Sequence, residues 1–182
     1  SEVLFTEYHY GKQAADEYLQ GIRQKINNDI PLIGPYGVNQ EGSGDMYNKG
    51  AALLHTIRQV INDDTVFRKI MKGLNKDFYH KTDESKDVEE YFSRISGKDL
   101  SKIFDQYLRT IKIPVLEYKT NGRKLVYRWT NCVDGFNMPL TIGTGKKFSV
   151  FPKTEWQETE LPLNYEINDY NKNLYISLKK EQ

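Results

Sequence analysis

The chain has 182 residues, of which 38% are hydrophobic and 28% charged, and its formal net charge is +1. That composition is globular, so wholesale disorder is excluded, and a balance so near zero gives no support to nucleic-acid binding or to a basic membrane-docking face. The single cysteine, Cys132, excludes an intrachain disulfide and a CxxC zinc site, and no apolar run approaches the roughly 20 residues of a membrane helix.

The opening stretch, SEVLFTEYHYGK, has neither the basic start nor the long apolar centre of a signal peptide. It reads as the middle of a helix, which leads us to expect a fragment. Ala14, Ala15, Tyr18, Leu19, Ile22 and Ile26 form the first helical stripe. Residues 30–44, IPLIGPYGVNQEGSG, fit no periodic pattern: four glycines and two prolines make a loop that leads into a helix near Asp45. A loop of that length between helices is more often functional than a mere connector. Four further stripes follow. They are Ala51, Leu53, Leu54, Ile57, Val60 and Ile61; then Val66, Phe67, Ile70, Met71, Leu74 and Phe78, with Asp63 or Asp64 as N-cap. The others are Val88, Tyr91, Phe92 and Ile95, ending at Gly97, and Leu100, Ile103, Phe104, Tyr107, Leu108 and Ile111, expected to face the core of the helical part.

At Ile113-Pro114 the pattern changes, because proline lacks an amide donor and disfavours helix in the residue before it. Short alternating runs follow at 115–119, 124–130, 139–143, 146–151, 156–161, 164–167 and 173–179, with turn signals at Asn121-Gly122, Asp134-Gly135, Thr144-Gly145 and around 169–171. The expected fold is α+β: an all-α helical part over 1–112, then a small antiparallel β-sandwich over 113–182.

Familiar catalytic chemistry is thin. His9, His55 and His80 begin no H-E-x-x-H and are not spaced to share a metal from one helix face, so no metal ligands are assigned. The acidic pairs suit helix starts and solvated faces. Ser43 in Gly42-Ser43-Gly44 is not a nucleophile elbow, the same glycines make neither a P-loop nor a dinucleotide fingerprint, and nothing local activates Cys132. What remains is Tyr47. It stands in the first turn of a helix after the loop containing Gly42, Gly44 and Asp45, where a phenol could donate a hydrogen bond to a developing oxyanion.

The run Tyr47-Asn48-Lys49-Gly50-Ala51-Ala52-Leu53-Leu54-His55 resembles the Y-x-K-G motif of the aminopeptidase N-like zinc metallopeptidases. IRQVINDDTVFRKIMKGL and SGKDLSKIFDQYLRTIKIPVLEY resemble the segments that follow it in that family, with Tyr107 where tryptophan is common, and Ser1-Glu2-Val3-Leu4 resembles the residues just after its E-G-F-x-x-Y stretch, with Glu2 at the closing Glu and the third zinc ligand expected a few residues before Ser1. The resemblance implies a carboxy-terminal piece of such an enzyme: the second half of a thermolysin-like catalytic domain, then the β-sandwich. It implies that Tyr47 is the catalytic tyrosine, that Glu2 supports the metal site, and that Gly42, Gly44 and Asp45 belong to the substrate cleft. The partners implied are a peptide substrate and the missing amino-terminal half of the catalytic domain, with neither nucleic acid nor membrane involved. Zinc would be the parent's cofactor. The family's H-E-x-x-H and its G-x-M-E-N amine-binding motif are both absent from this sequence, so the chain alone is expected to be inactive. The alternative is a self-standing protein- or glycan-binding module presenting some of the thirteen tyrosines and two tryptophans.

Overall fold

A computed structural model describes residues 2–143 and 146–181. The turn expected at Thr144-Gly145, and Ser1, lie outside the described residues. Helices α1 (Glu2–Tyr10), α2 (Lys12–Arg23), α3 (Asn48–Ile61), α4 (Asp64–Asp77), α5 (Ser85–Ser96) and α6 (Ser101–Arg109) come first. Strands β1 (Val115–Asn121), β2 (Lys124–Thr130), β3 (Leu140–Ile142), β4 (Phe148–Val150), β5 (Gln157–Glu160) and β6 (Ser177–Lys180) follow, so the class is α+β.

The helix boundaries follow local chemistry. Asp63 caps α4, its carboxylate accepting the Thr65 and Val66 amides at 2.8 and 3.1 Å. Asn62 and Gly97 end α3 and α5 in the left-handed conformation, at φ 54° and 66°. Helix α2 stops at Arg23 rather than reaching Ile26, because the amides of Asn27 and Asn28 bond to the Asp45 carboxylate instead of to helix carbonyls. Among the described residues no helix is long and apolar enough to cross a membrane.

The sheet order is β5-β2-β1-β6, with β3 and β4 forming a separate hairpin. The expected antiparallel pairing holds for β1-β2 and β2-β5 but not for β6, which runs parallel to β1 in register Val115 to Ser177, so the sheet is mixed. A parallel neighbour needs a long connection, and the chain from β1 to β6 passes through β2 to β5 before it returns. The strand expected at 164–167 is instead a turn, with Asn164 at φ 65° and a short 3-10 helix at Ile167–Asp169. The run at 173–179 is extended strand only from Ser177, because Asn171 to Asn173 close a side-chain turn (Asn173 N–H to Asn171 Oδ1, 3.0 Å).

One buried cluster runs through both parts: Ile57, Ile70, Phe92, Leu100 and Tyr107 from the helices share it with Leu116, Leu125, Trp129, Met138 and Leu174. The α6 stripe is divided between the two. Tyr107, fully buried, donates its hydroxyl to the Tyr175 carbonyl at 2.6 Å, so this part of the stripe faces the β part. Gln106 beside it, also fully buried, donates to the Lys112 carbonyl at 2.7 Å and accepts the Val133 amide at 2.7 Å. These bonds satisfy the chain where helix gives way to strand. Helices α1 and α2 form a smaller cluster of Val3, Ala15, Leu19 and Ile22, which packs on Ala51.

Candidate active site around Tyr47

The loop from α2 to α3 is anchored along its length. The Ile33 amide bonds to the Leu108 carbonyl at 3.1 Å, and the Tyr36 hydroxyl lies 2.8 Å from Ser85 Oγ. Gly42 is needed where it stands: a Cβ there would lie 2.1 Å from the Leu32 carbonyl oxygen, an overlap that only a backbone shift could relieve. At Gly44 a Cβ would meet nothing within 4 Å.

The loop closes on a polar knot. Ser43 Oγ donates to Asp29 at 2.7 Å and accepts the Asp45 amide at 3.1 Å. Asp45 is buried, and its two carboxylate oxygens accept the amides of Asn27 and Asn28 at 3.0 and 2.6 Å. It therefore clamps the short 3-10 turn Gly44–Met46 to the exit of α2. Lys49 is fully buried and donates to the Thr110 carbonyl at 2.8 Å, tying the start of α3 to the end of α6. Burial pushes its pKa down, and the charges of Asp45 and Asp29 oppose that shift.

Tyr47 stands between Asp45 and Lys49 and takes the opposite course. Its side chain is 79% exposed, while its carbonyl accepts the Ala51 amide at 3.0 Å in the first turn of α3. Its hydroxyl makes no hydrogen bond among the described residues, and it stands at the positive end of a 14-residue helix. Beneath it runs a mainly apolar cavity of about 800 Å³, lined among others by Glu2, Tyr47, Leu54, Phe67, Val88 and Leu108. Glu2 thus shares the Tyr47 cavity, and its carboxylate accepts the Tyr18 hydroxyl at 2.8 Å. That hydrogen bond, aided by burial, raises the Tyr18 pKa. Among the described residues no three His, Cys, Asp or Glu side chains gather to hold a metal ion, so the residues present do not fit a zinc site.

The role of Lys49 had a readable signal. Lys49, Ala52, Leu53, Thr56, Ile57 and Val60 follow helical spacing and all are buried, so this lysine heads the core stripe of α3 while Tyr47, two residues earlier, faces out. The Asp45 clamp joins positions 17 and 18 residues apart and leaves no periodic trace.

A second electrostatic group lines a separate cavity of about 450 Å³, which shares Leu4, Phe67 and Met71 with the first. Arg58 is held by Glu7 (2.5 and 2.9 Å) and Asp64 (2.7 and 2.8 Å), tying α1 and the start of α4 to α3. The hydrogen bonds from Arg58 hold both carboxyls below their usual range. His55, one turn earlier on α3, is buried, and burial together with the Arg58 charge pushes its pKa down to about 4 from 6.5. In the pH window between those two values the unfolded chain binds a proton that the folded chain refuses. The His55 contribution is therefore complete above pH 6.5 and is lost as pH falls towards 4, by roughly 3 kcal/mol. Urea midpoints measured across that window should fall in the native protein and stay flatter in His55→Gln; parallel slopes would refute the assignment.

No sequence-family profile matches the chain. Sequence relatives include the mitochondrial aminopeptidase 2 of Saccharomyces cerevisiae, 24% identical over 111 residues, which are 60% of this chain and 12% of that protein. The alanine/arginine aminopeptidase of the same yeast is 24% identical over 107 residues, 59% of this chain and 12% of that protein. Aminopeptidase 2 of Candida albicans is 26% identical over 104 residues, 57% and 11%. The chain thus spans about an eighth of the length of the curated relatives it matches. A crystal structure of Legionella pneumophila aminopeptidase A in complex with aspartic acid shares the fold over 99% of this chain and 23% of that one, with a TM-score of 0.64 and 16% identity. Over the matched span, the chain is a partial homologue of the aminopeptidase N-like family.

Proposed function

We propose that the chain is a segment of a zinc-dependent aminopeptidase, an enzyme that removes N-terminal residues from peptides, and that Tyr47 is its donor to the oxyanion of the tetrahedral intermediate. In this reading residues 1–112 are the second half of a thermolysin-like catalytic domain and 113–182 a small β-sandwich domain. Gly42, Gly44 and Asp45 form the cleft loop, and Glu2, which lines the same cavity, supports the site. The observation that carries the proposal is the exposure of Tyr47 at the start of α3, over a cavity, in a chain related to aminopeptidases. A phenol buried for packing would sit at 49 or 52; this one is held out by the loop before it and the core lysine after it.

Tyr47 alone does not hydrolyse a peptide. Zinc would polarise the scissile carbonyl and activate water. The described residues give it no ligand set, so the proposal assigns zinc to residues beyond this sequence and no step to it here. The partners are the peptide and the rest of the catalytic domain; nucleic acid and membrane have no part. The test is to read the gene upstream of Ser1. An H-E-x-x-H followed roughly 20 residues later by a glutamate is the expected result. A gene without it would favour a non-catalytic binding module.

A further inference from the structure

We propose that Tyr175, at the end of the β part, is a positioning residue for Tyr47, acting through Asn28 and Asp45; the inference rests on the catalytic reading of Tyr47. The body of Tyr175 is immobilised from several sides. Its amide donates to Thr56 Oγ1 on α3 at 3.0 Å, and its carbonyl accepts the Tyr107 hydroxyl of α6 at 2.6 Å. Its ring stacks on that of Tyr107 at 5.9 Å, and the Arg23 guanidinium lies 5.7 Å from its centroid. Thr56 and Tyr107 are both fully buried, so these anchors are rigid.

The Tyr175 hydroxyl is spent on one contact, accepting Asn28 Nδ2 at 3.0 Å. Asn28 needs that contact. It sits at φ 50°, in the left-handed region that asparagine tolerates better than most residues, and its side-chain oxygen is buried without a partner among the described residues. Its backbone amide donates in turn to Asp45 at 2.6 Å, and Asp45 fixes the 3-10 turn that ends at Tyr47. The path is continuous: phenol of the β part, amide side chain, backbone amide, buried carboxylate, then the turn that aims the exposed phenol. The β part therefore sets the angle at which Tyr47 enters the site. Small errors of that angle are costly to a group that must meet a developing charge.

The test uses the intact enzyme. Tyr175→Phe removes one hydroxyl and keeps the ring and both backbone bonds. Loss of one neutral hydrogen bond in the path should lower kcat roughly three- to tenfold with KM unchanged. Asn28→Gly keeps the left-handed backbone but removes the amide side chain, and should reproduce that loss without adding to it. In a Tyr47→Phe background, Tyr175→Phe should cost less than about twofold more, because the group it positions is gone. An equal loss in both backgrounds would mark Tyr175 as merely structural and overturn the proposal. Normal turnover in Tyr175→Phe beside a crippled Tyr47→Phe would overturn the positioning role and leave the catalytic reading standing. Normal turnover in Tyr47→Phe itself would overturn both.

Discussion

Tyr47→Phe in the intact enzyme should lower kcat by roughly 100- to 1,000-fold, the usual cost of removing one oxyanion donor, with KM and metal content nearly unchanged. The phenol is well suited to the measurement. Being 79% exposed, with no hydrogen bond from its hydroxyl among the described residues, it contributes little to the fold, so the change to phenylalanine leaves no buried group unpaired. The loop needs Gly42, Asp45 and Lys49 and does not need the Tyr47 hydroxyl. A loss confined to kcat means that the bond exists only in the transition state. A rise in KM with kcat intact would mean that the phenol only binds substrate, and a variant with near-normal kcat would show that it only shields the cavity.

The largest effect on stability is expected from Trp129→Ala. Trp129 is 1% exposed, donates its indole N–H to the Met138 carbonyl at 2.9 Å, and packs edge-to-face on Phe136 with centroids 5.6 Å apart. Truncation should cost about 3–5 kcal/mol through lost burial and the cavity left behind. Because Trp129 belongs to the same buried cluster as Ile57, Phe92 and Tyr107, the helices should lose stability together with the strands. Helical circular dichroism and the fluorescence of the remaining tryptophan, Trp156 in the β part, should therefore move to one lower denaturant midpoint. A helical signal that keeps its native midpoint would show that the two parts fold independently.

Much of the fold was legible in the residues. The five apolar stripes correspond to α2 to α6, and the change of period at Ile113-Pro114 falls between the end of α6 at Arg109 and the start of β1 at Val115. Periodicity reports which face of an element is buried, so it could find these. It could not find the parallel pairing of β6, since a strand's alternation is the same whichever way its neighbour runs. Nor could it divide the α6 stripe between helical and β neighbours, because a stripe says that a residue is buried and not by what. At the site, Tyr47 was visible through its loop, its helix start and its motif; Lys49 was not, because a lysine does not count towards an apolar stripe although its spacing from Leu53, Ile57 and Val60 places it on the buried face. The path from Tyr175 through Asn28 to Asp45 joins residues 147 and 17 positions apart, and such contacts exist only once the chain has folded.

The central claim is that the Tyr47 hydroxyl meets the oxyanion and not the substrate. The most direct measurement is the affinity of the intact enzyme for a phosphinic peptide, whose tetrahedral anion copies the intermediate, beside that of a substrate-like peptide. In Tyr47→Phe the phosphinic peptide should bind weaker by about the factor lost from kcat/KM, while the substrate-like peptide binds as before. Equal weakening of both, or unchanged binding of the phosphinic peptide beside a large loss of turnover, would contradict the account.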